Sequence, residues 1–187
     1  MRVLGIDPGL GRTGVAVVDG QPGKLRLVHA TCLETRAGSD AERLHLLFGL
    51  ISTVIDEHRP SFAAVERLFF STNRATAMRV AEARGVLLCA LAGAAVPVAE
   101  YTPNEVKESV AGYGAARKPQ VLRMTMQLLS VDTIEGPDDV ADACAIAVCH
   151  HHRASLTLRV RGRVRPPVNA LDTAVAAALS RLRAGAR

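Results

Sequence analysis

The sequence predicts an α/β domain built on a five-stranded mixed sheet with helices on both faces. Three observations predict this fold. The first 35 residues contain three short apolar segments joined by Gly- and Asp-rich turns, as in antiparallel strands. After residue 39 the apolar residues recur at helical spacing. Strand-like and helical segments then alternate, which gives the order βββαβαβααα.

The five predicted strands are apolar segments bounded by turn residues. They cover Val3–Asp7, Gly14–Val18, Leu25–Leu33, Ser61–Glu66 and Val96–Tyr101. The first and the fourth both end in a carboxylate, and a glycine-rich turn follows the first. Because the first three strands have short connections, we expect them to form an antiparallel meander.

The helices are predicted from apolar periodicity and from residues that begin or end a helix. Ser39-Asp40 can cap the first one, whose inward face is predicted to carry Leu44, Leu47, Phe48, Ile51 and Ile55. Proline suits the first turn of the third helix, and glycines break the chain after it. The predicted helices are about Ala41–His58, about Asn73–Gly93, Pro103–Ala111, Lys118–Leu129 and Asp139–His152.

Composition divides the chain into a domain, 1–153, and a basic tail, 154–187. Eight of the 23 basic residues follow residue 152, with Asp172 as the one acid there. A basic tail is a common way to hold nucleic acid; a solvated end is the alternative. With no apolar run of about 18 residues and an early Asp7, we expect a soluble cytoplasmic protein without a signal peptide. The four cysteines are expected to be buried free thiols.

Acidic residues stand where predicted strands end or helices begin. Asp7 and Glu66 each end a strand, and Asp139 and Asp142 lie three apart at the start of the last helix. Such a set would repel itself without a cation, and oxygen ligands suit Mg²⁺ or Mn²⁺. Two ions about 4 Å apart activate water at a phosphodiester. The plainer alternatives are a turn organiser for Asp7, a surface ion pair with Arg67 or Arg74 for Glu66, and helix capping for Asp138 or Asp139.

Several ordered motifs over residues 3–152 resemble the RuvC family of bacterial Holliday junction resolvases. They are Leu4-Gly5-Ile6-Asp7-Pro8-Gly9 with Thr13-Gly14, Ala64-Val65-Glu66 with Phe69, Ala83-Arg84-Gly85-Val86, Val106-Lys107, and the acidic segment from Asp139 to Ala147. The resemblance implies an RNase H-like fold and a homodimer. It also implies paired symmetrical nicks in a four-way DNA junction, during recombination and repair.

The resemblance also implies roles for individual residues. Asp7, Glu66, Asp139 and Asp142 are expected to bind the metal ions, most simply two Mg²⁺ per site, with Mn²⁺ as the other candidate. Phe69, Arg74, Lys107 and Lys118 are expected to contact DNA, with Phe69 as a stacking residue at the crossover. Arg84 is open to a structural role. A branch-migration motor complex is the expected partner.

The second predicted helix carries many small apolar residues, which favours a two-fold helix interface over an ordinary core helix. They are Ala77, Val80, Ala81, Ala83, Val86, Leu87 and Leu88. His150-His151-His152 invites a metal interpretation, but we expect these histidines to end the last helix, where positive charge is favourable.

Three other classes share part of the pattern. Small RNase H-like proteins of ribosomal RNA maturation share the Gly-Ile-Asp-x-Gly opening but lack the contexts of Phe69 and Lys107. Sugar kinases and actin-like ATPases share the opening too, yet they need two such domains, and 187 residues are too few. A catalytically silent junction-binding module would not need all four acidic residues.

Overall fold

The sheet begins with the predicted antiparallel meander. The computed structural model describes residues 1–67 and 74–160, with backbone only for residues 74, 75 and 155–160. Within this part the strands are β1 (Arg2–Asp7), β2 (Arg12–Gln21), β3 (Lys24–Glu34), β4 (Phe62–Glu66) and β5 (Val98–Tyr101). The helices are α1 (Asp40–His58), α2 (Arg74–Gly93), α3 (Pro103–Ala111), α4 (Lys118–Leu129) and α5 (Asp138–Val160).

The strands form one mixed sheet in the order β3-β2-β1-β4-β5. The β1–β2 and β2–β3 pairs are antiparallel, whereas β4 pairs in parallel with both β1 and β5. Asp7 lies opposite Gly14 of β2, and Ile6 lies opposite Val65 of β4. The carboxyl ends of β1 and β4 therefore meet at the same edge of the sheet, and this brings Asp7 and Glu66 to that edge.

Alternate residues along β1 face two separate hydrophobic cores, one on each side of the sheet. Val3 belongs to the core that contains α3, α4 and α5, whereas Leu4 and Ile6 belong to the core that contains α1 and α2. This confirms the predicted five-stranded mixed sheet with helices on both faces.

Two glycines let α5 lie directly on the sheet. A Cβ atom at Gly5 of β1 would overlap the carbonyl oxygen of Ala143, and one at Gly14 of β2 would overlap the carbonyl oxygen of Asp139. Such overlaps would force the helix away from the strands. Side-chain-free positions on β1 and β2 therefore set how closely the first turns of α5 approach the ends of these strands.

Several predicted boundaries are confirmed because strong local signals mark them. The bounds of α3 and α4 are those predicted. Thr102 caps α3 in a capping box with Glu105, and Gly112 ends the helix with a left-handed conformation. Ser39 caps α1 in the same way with Glu42.

The prediction that α5 ends at His152 is wrong, because the helix continues to Val160. The three histidines lie inside it and bond to neighbouring elements. His150 Nδ1 is 2.9 Å from the Tyr101 hydroxyl, His151 Nε2 donates to the Val18 carbonyl (3.1 Å), and His152 Nδ1 donates to the Ser109 carbonyl (3.0 Å). Burial lowers the pKa of His150 to about 4, so this side chain is neutral at pH 7.

Two further predictions need correction. Phe48 does not lie on the buried face of α1, since it is 42% exposed and Val54 is buried in its place. Cys144 and Cys149 are buried free thiols as predicted, but Cys89 is exposed on α2.

The elements from Met1 to Leu156 pack as one unit. The boundary predicted at residues 153 and 154 stays a prediction, since most of the basic tail lies outside the described residues. Within the described ranges, each helix is too short or too polar to span a bilayer.

Candidate active site

All four predicted acidic residues converge at the carboxyl ends of β1 and β4. Asp7 and Glu66 end these strands, and their side chains hydrogen-bond to each other. Asp139 and Asp142 come from the first turns of α5, and both charges act on Asp7. The backbone of Asp139 lies against Gly14, directly opposite Asp7 in the sheet. The convergence predicted from the sequence is therefore found.

Burial and mutual repulsion disfavour the ionised forms of Asp7 and Glu66. Burial, and then the charges of Glu66, Asp142 and Asp139, raise the pKa of Asp7 from 3.8 to about 8. Burial and the charge of Asp142 also raise the pKa of Glu66. The Asp7–Glu66 hydrogen bond raises the pKa of Asp7 and lowers that of Glu66, so Asp7 holds the proton and donates it.

Lys118, predicted as a DNA contact, lies within the acidic cluster. Its Nζ atom is 2.9 Å from Asp142 Oδ2 and 3.2 Å from Asp138 Oδ2. Burial lowers the pKa of Lys118, but the hydrogen bonds and charges of these two carboxylates outweigh burial and raise it overall. Asp138, the alternative cap of a helix predicted to begin at Asp139, is instead the first residue of α5, and its carboxylate pairs with this lysine.

Arg12 is a site residue that the sequence reasoning missed. It begins β2 and places its Nε atom 3.0 Å from Asp139 Oδ2. The signal was available, because a basic residue five positions after Asp7 returns along the antiparallel strand to the same edge of the sheet. Arg12 stands within a glycine-rich turn, and such a turn by itself indicates only a change of chain direction.

A cleft of about 240 Å³ opens beside two of the four carboxylates. Its charged lining residues are Glu66, Asp142, Lys107 and Lys118. The remaining lining is largely apolar and comes from α3, α4 and α5: Pro103, Val106, Val121, Ala145 and Ile146. Lys107 thus lines the same cleft as two of the acidic residues, and its contact with DNA stays a prediction.

Two other predicted DNA contacts, Phe69 and Arg74, lie at or beyond the limits of the described residues. Phe69 lies outside the described residues, and only the backbone of Arg74 is described, as the first residue of α2. Arg84 forms a partly buried ion pair with Glu100, which fits the structural role left open for it. Arg67 also pairs with Glu100, at 3.8 Å, so this arginine is not the partner of Glu66.

The carboxylates fit a divalent metal ion by their chemistry. In residues 1–67 and 74–160, no three acidic, histidine or cysteine side chains are arranged so that they could hold a metal ion. Arg12 and Lys118 instead contact two of the four carboxylates. The Asp139 Oδ2 atom is buried and accepts no hydrogen bond, even though the Arg12 guanidinium is close. An all-oxygen set with excess negative charge suits Mg²⁺ or Mn²⁺.

Comparisons with known proteins agree on one family. The family model for "Crossover junction endodeoxyribonuclease RuvC" matches residues 3–150. The RuvC protein of Chloroflexus aurantiacus is 49% identical over 155 residues, which are 82% of this chain and 94% of that protein. The RuvC protein of Moorella thermoacetica is 48% identical over 151 residues, or 80% and 90% of the two chains.

Solved structures agree with the sequence matches. T. thermophilus RuvC in complex with a Holliday junction substrate superimposes with a TM-score of 0.80 at 35% identity, covering 83% of this chain and 96% of that one. A yeast mitochondrial Holliday junction resolvase, at 15% identity and a TM-score of 0.63, supports the fold alone. The predicted RNase H-like fold is thereby confirmed. The chain belongs to the RuvC family of crossover junction endodeoxyribonucleases, a metal-dependent family of Holliday junction resolvases.

Proposed function

We propose that this chain resolves four-way DNA junctions by paired symmetrical nicks. Each nick hydrolyses one phosphodiester and leaves a 5′-phosphate and a 3′-hydroxyl. The observation that carries the proposal is the convergence of four carboxylates at one sheet edge, beside a cleft with two lysines. Support also comes from the T. thermophilus relative, which binds a Holliday junction substrate.

In this proposal Asp7, Glu66, Asp139 and Asp142 hold two Mg²⁺ ions, with Mn²⁺ as the alternative. The bound ions supply an activated water and stabilise the charge on the leaving oxygen. The protein side chains position these ions at the end of β1 and β4. Asp7 has to release its proton before it can act as a ligand, because it donates a hydrogen bond to Glu66 in the metal-free protein.

The two lysines of the cleft bind the scissile strand. Lys118 is held next to the carboxylates by Asp138 and Asp142, so its charge is fixed where the scissile phosphate has to lie. Lys107 adds a second positive charge to the lining of the cleft, from α3. Apolar side chains line the rest of this cleft. A phosphate bound against them would be less screened by water, which would strengthen its electrostatic attraction to the lysines.

Phe69 and Arg74 complete the proposed DNA contacts. Phe69 would stack on bases at the crossover, and Arg74 would bind a backbone phosphate. Residues 154–187 would add non-specific affinity through their arginines. The protein would act in the cytoplasm, together with a branch-migration motor complex.

Two active sites are needed for paired nicks, and we propose a homodimer whose two-fold interface includes α2. Two of the predicted interface residues, Ala83 and Leu87, are buried in the protein's own core and are wrong for this role. The outward face of α2 carries Met78, Ala81, Gly85 and Cys89 at helical spacing. This row of mostly small side chains suits close helix contact, and Met78 is 64% exposed.

The proposal is tested with Asp7→Asn and a synthetic four-way junction. The variant is expected to bind the junction but not to nick it with Mg²⁺. Asp56→Asn makes the same change on the exposed face of α1 and should nick at the wild-type rate. Nicking by Asp7→Asn at the wild-type rate would contradict the metal site. Cleavage of structured RNA in preference to the junction would favour the ribosomal RNA alternative.

A further inference from the structure

Arg12 contacts Asp139 from an exposed position at the edge of the active site. Its Nε atom lies 3.0 Å from Asp139 Oδ2, and its side chain is 55% exposed, against 25% for that of Asp139. The two partners of this ion pair therefore differ in how much space surrounds them. Arg12 can leave by rotating into solvent, whereas Asp139 is fixed by the close contact between α5 and Gly14.

A divalent cation and Arg12 compete for the same oxygen atom. The guanidinium cannot lose its charge in a protein, so it leaves Asp139 only by moving away. Lys118 differs, because it contacts both Asp138 and Asp142 and stays held by one if it loses the other. Arg12 has Asp139 as its ion-pair partner among the described residues. Displacement therefore frees a positive charge at the edge of the site.

We propose that Arg12 is an exchangeable counter-ion that couples cation binding to DNA binding. In the metal-free protein it neutralises Asp139; when a divalent cation takes that carboxylate, the freed guanidinium binds a backbone phosphate of the DNA. This inference rests on the metal site of the proposed function. It requires that the cation and the DNA each strengthen the binding of the other, because coupling between two ligands is reciprocal.

The test measures that coupling without cleavage. Affinity for a synthetic four-way junction is measured by fluorescence anisotropy in EDTA and in Ca²⁺, and the DNA is checked on a denaturing gel for nicks. The readout is the ratio of the two affinities. Arg12→Gln is expected to lower this ratio at least about fivefold, and to lower the salt slope by about one in Ca²⁺ only. Without DNA, Ca²⁺ should bind this variant more tightly in calorimetry, since the competing guanidinium is gone.

Arg36→Gln is the matched control. Arg36 follows β3 and pairs with Glu34, and both Arg36 and Arg12 act electrostatically on the Cys32 thiol. The two variants thus remove equal charge from one neighbourhood, and only Arg12→Gln removes the contact with Asp139. Arg36→Gln should keep the wild-type affinity ratio. Arg12→Lys should keep most of it, since the charge remains. Thermal unfolding in EDTA verifies that all three variants are folded.

Two outcomes would overturn the inference while leaving the proposed function intact. One is an affinity ratio for Arg12→Gln equal to that of Arg36→Gln. The other is an equal loss of affinity in EDTA and in Ca²⁺, which would make Arg12 a permanent phosphate contact. If the wild-type protein itself bound no Ca²⁺ in calorimetry, the metal site of the proposed function would fail, and the inference with it.

Discussion

Asp7→Asn is expected to stabilise the metal-free protein, although it removes activity. Asp7 is buried among three other carboxylates, and its pKa is raised from 3.8 to about 8. At pH 7 the unfolded chain ionises this group and the folded protein keeps it protonated. The interval of about three pH units between the unfolded pKa and pH 7 therefore favours unfolding by about 4 kcal/mol at most. Asparagine does not ionise, and its amide can still donate a hydrogen bond to Glu66.

The pH dependence gives the sharper test. Because the folded pKa of Asp7 lies above the unfolded value, its stabilising contribution is fully present below pH 3.8 and is lost as the pH rises through about 8. The slope is at most about 1.4 kcal/mol per pH unit. Burial of His150 acts in the opposite direction between about 4 and 6.5. The window from pH 6.5 to 8 therefore separates Asp7 from His150.

The assay is urea unfolding in EDTA at several pH values within that window. We expect Asp7→Asn to gain about 3 kcal/mol at pH 7, or about 10 °C in Tm, and to lose the downward slope. Added Mg²⁺ should stabilise the wild type more than the variant. An Asp7→Asn protein that is no more stable than the wild type in EDTA, with an unchanged slope, would refute the account of strained carboxylates.

Three other predictions concern Gly14, His150 and Lys118. Gly14→Ala should lower Ca²⁺ affinity in calorimetry by about tenfold, because the new methyl group displaces the first turn of α5; Gly49→Ala, with open space around it, should not. In the Asp7→Asn background, which removes the opposing titration of Asp7, the free energy of unfolding in urea should fall by about 3 kcal/mol at most as the pH drops from 6.5 to 4. The lowered pKa of His150 makes its stabilising contribution fully present only above 6.5, so adding His150→Gln should remove most of this fall. Lys118→Met should slow nicking about 100-fold in a gel assay while junction affinity falls much less.

The parts of the fold that followed from the sequence are those marked by local chemistry. Thr102 and Pro103 begin α3, and Gly112 ends it; these signals act within a single turn and need no tertiary contact. The convergence of Asp7 and Glu66 was also predictable, because both end strands that lie parallel in the sheet. Parallel neighbours bring their carboxyl ends to one edge.

The parts that were missed depend on contacts between distant segments. The three histidines suggested a helix end, but Tyr101, Val18 and Ser109 provide partners that keep the helix buried and continuous. Phe48 matched the helical period of a core residue and is nevertheless exposed. The antiparallel meander places Arg12 at the edge that carries Asp7, but its pairing with Asp139, 127 positions away, depends on how α5 packs on the sheet.

The direct contact of α5 with the sheet fixes one dimension of the active site, the distance between the acidic helix and the strand ends. The spacing between the acidic helix and the strand ends is set where backbone atoms meet at Gly5 and Gly14, not by bulky side chains that can change size. Substitutions that change side-chain size in the core under α1 and α2 do not touch these two contacts. The same arrangement leaves no gradual route to a wider site, since the smallest possible enlargement, one methyl group at either glycine, already overlaps the helix backbone.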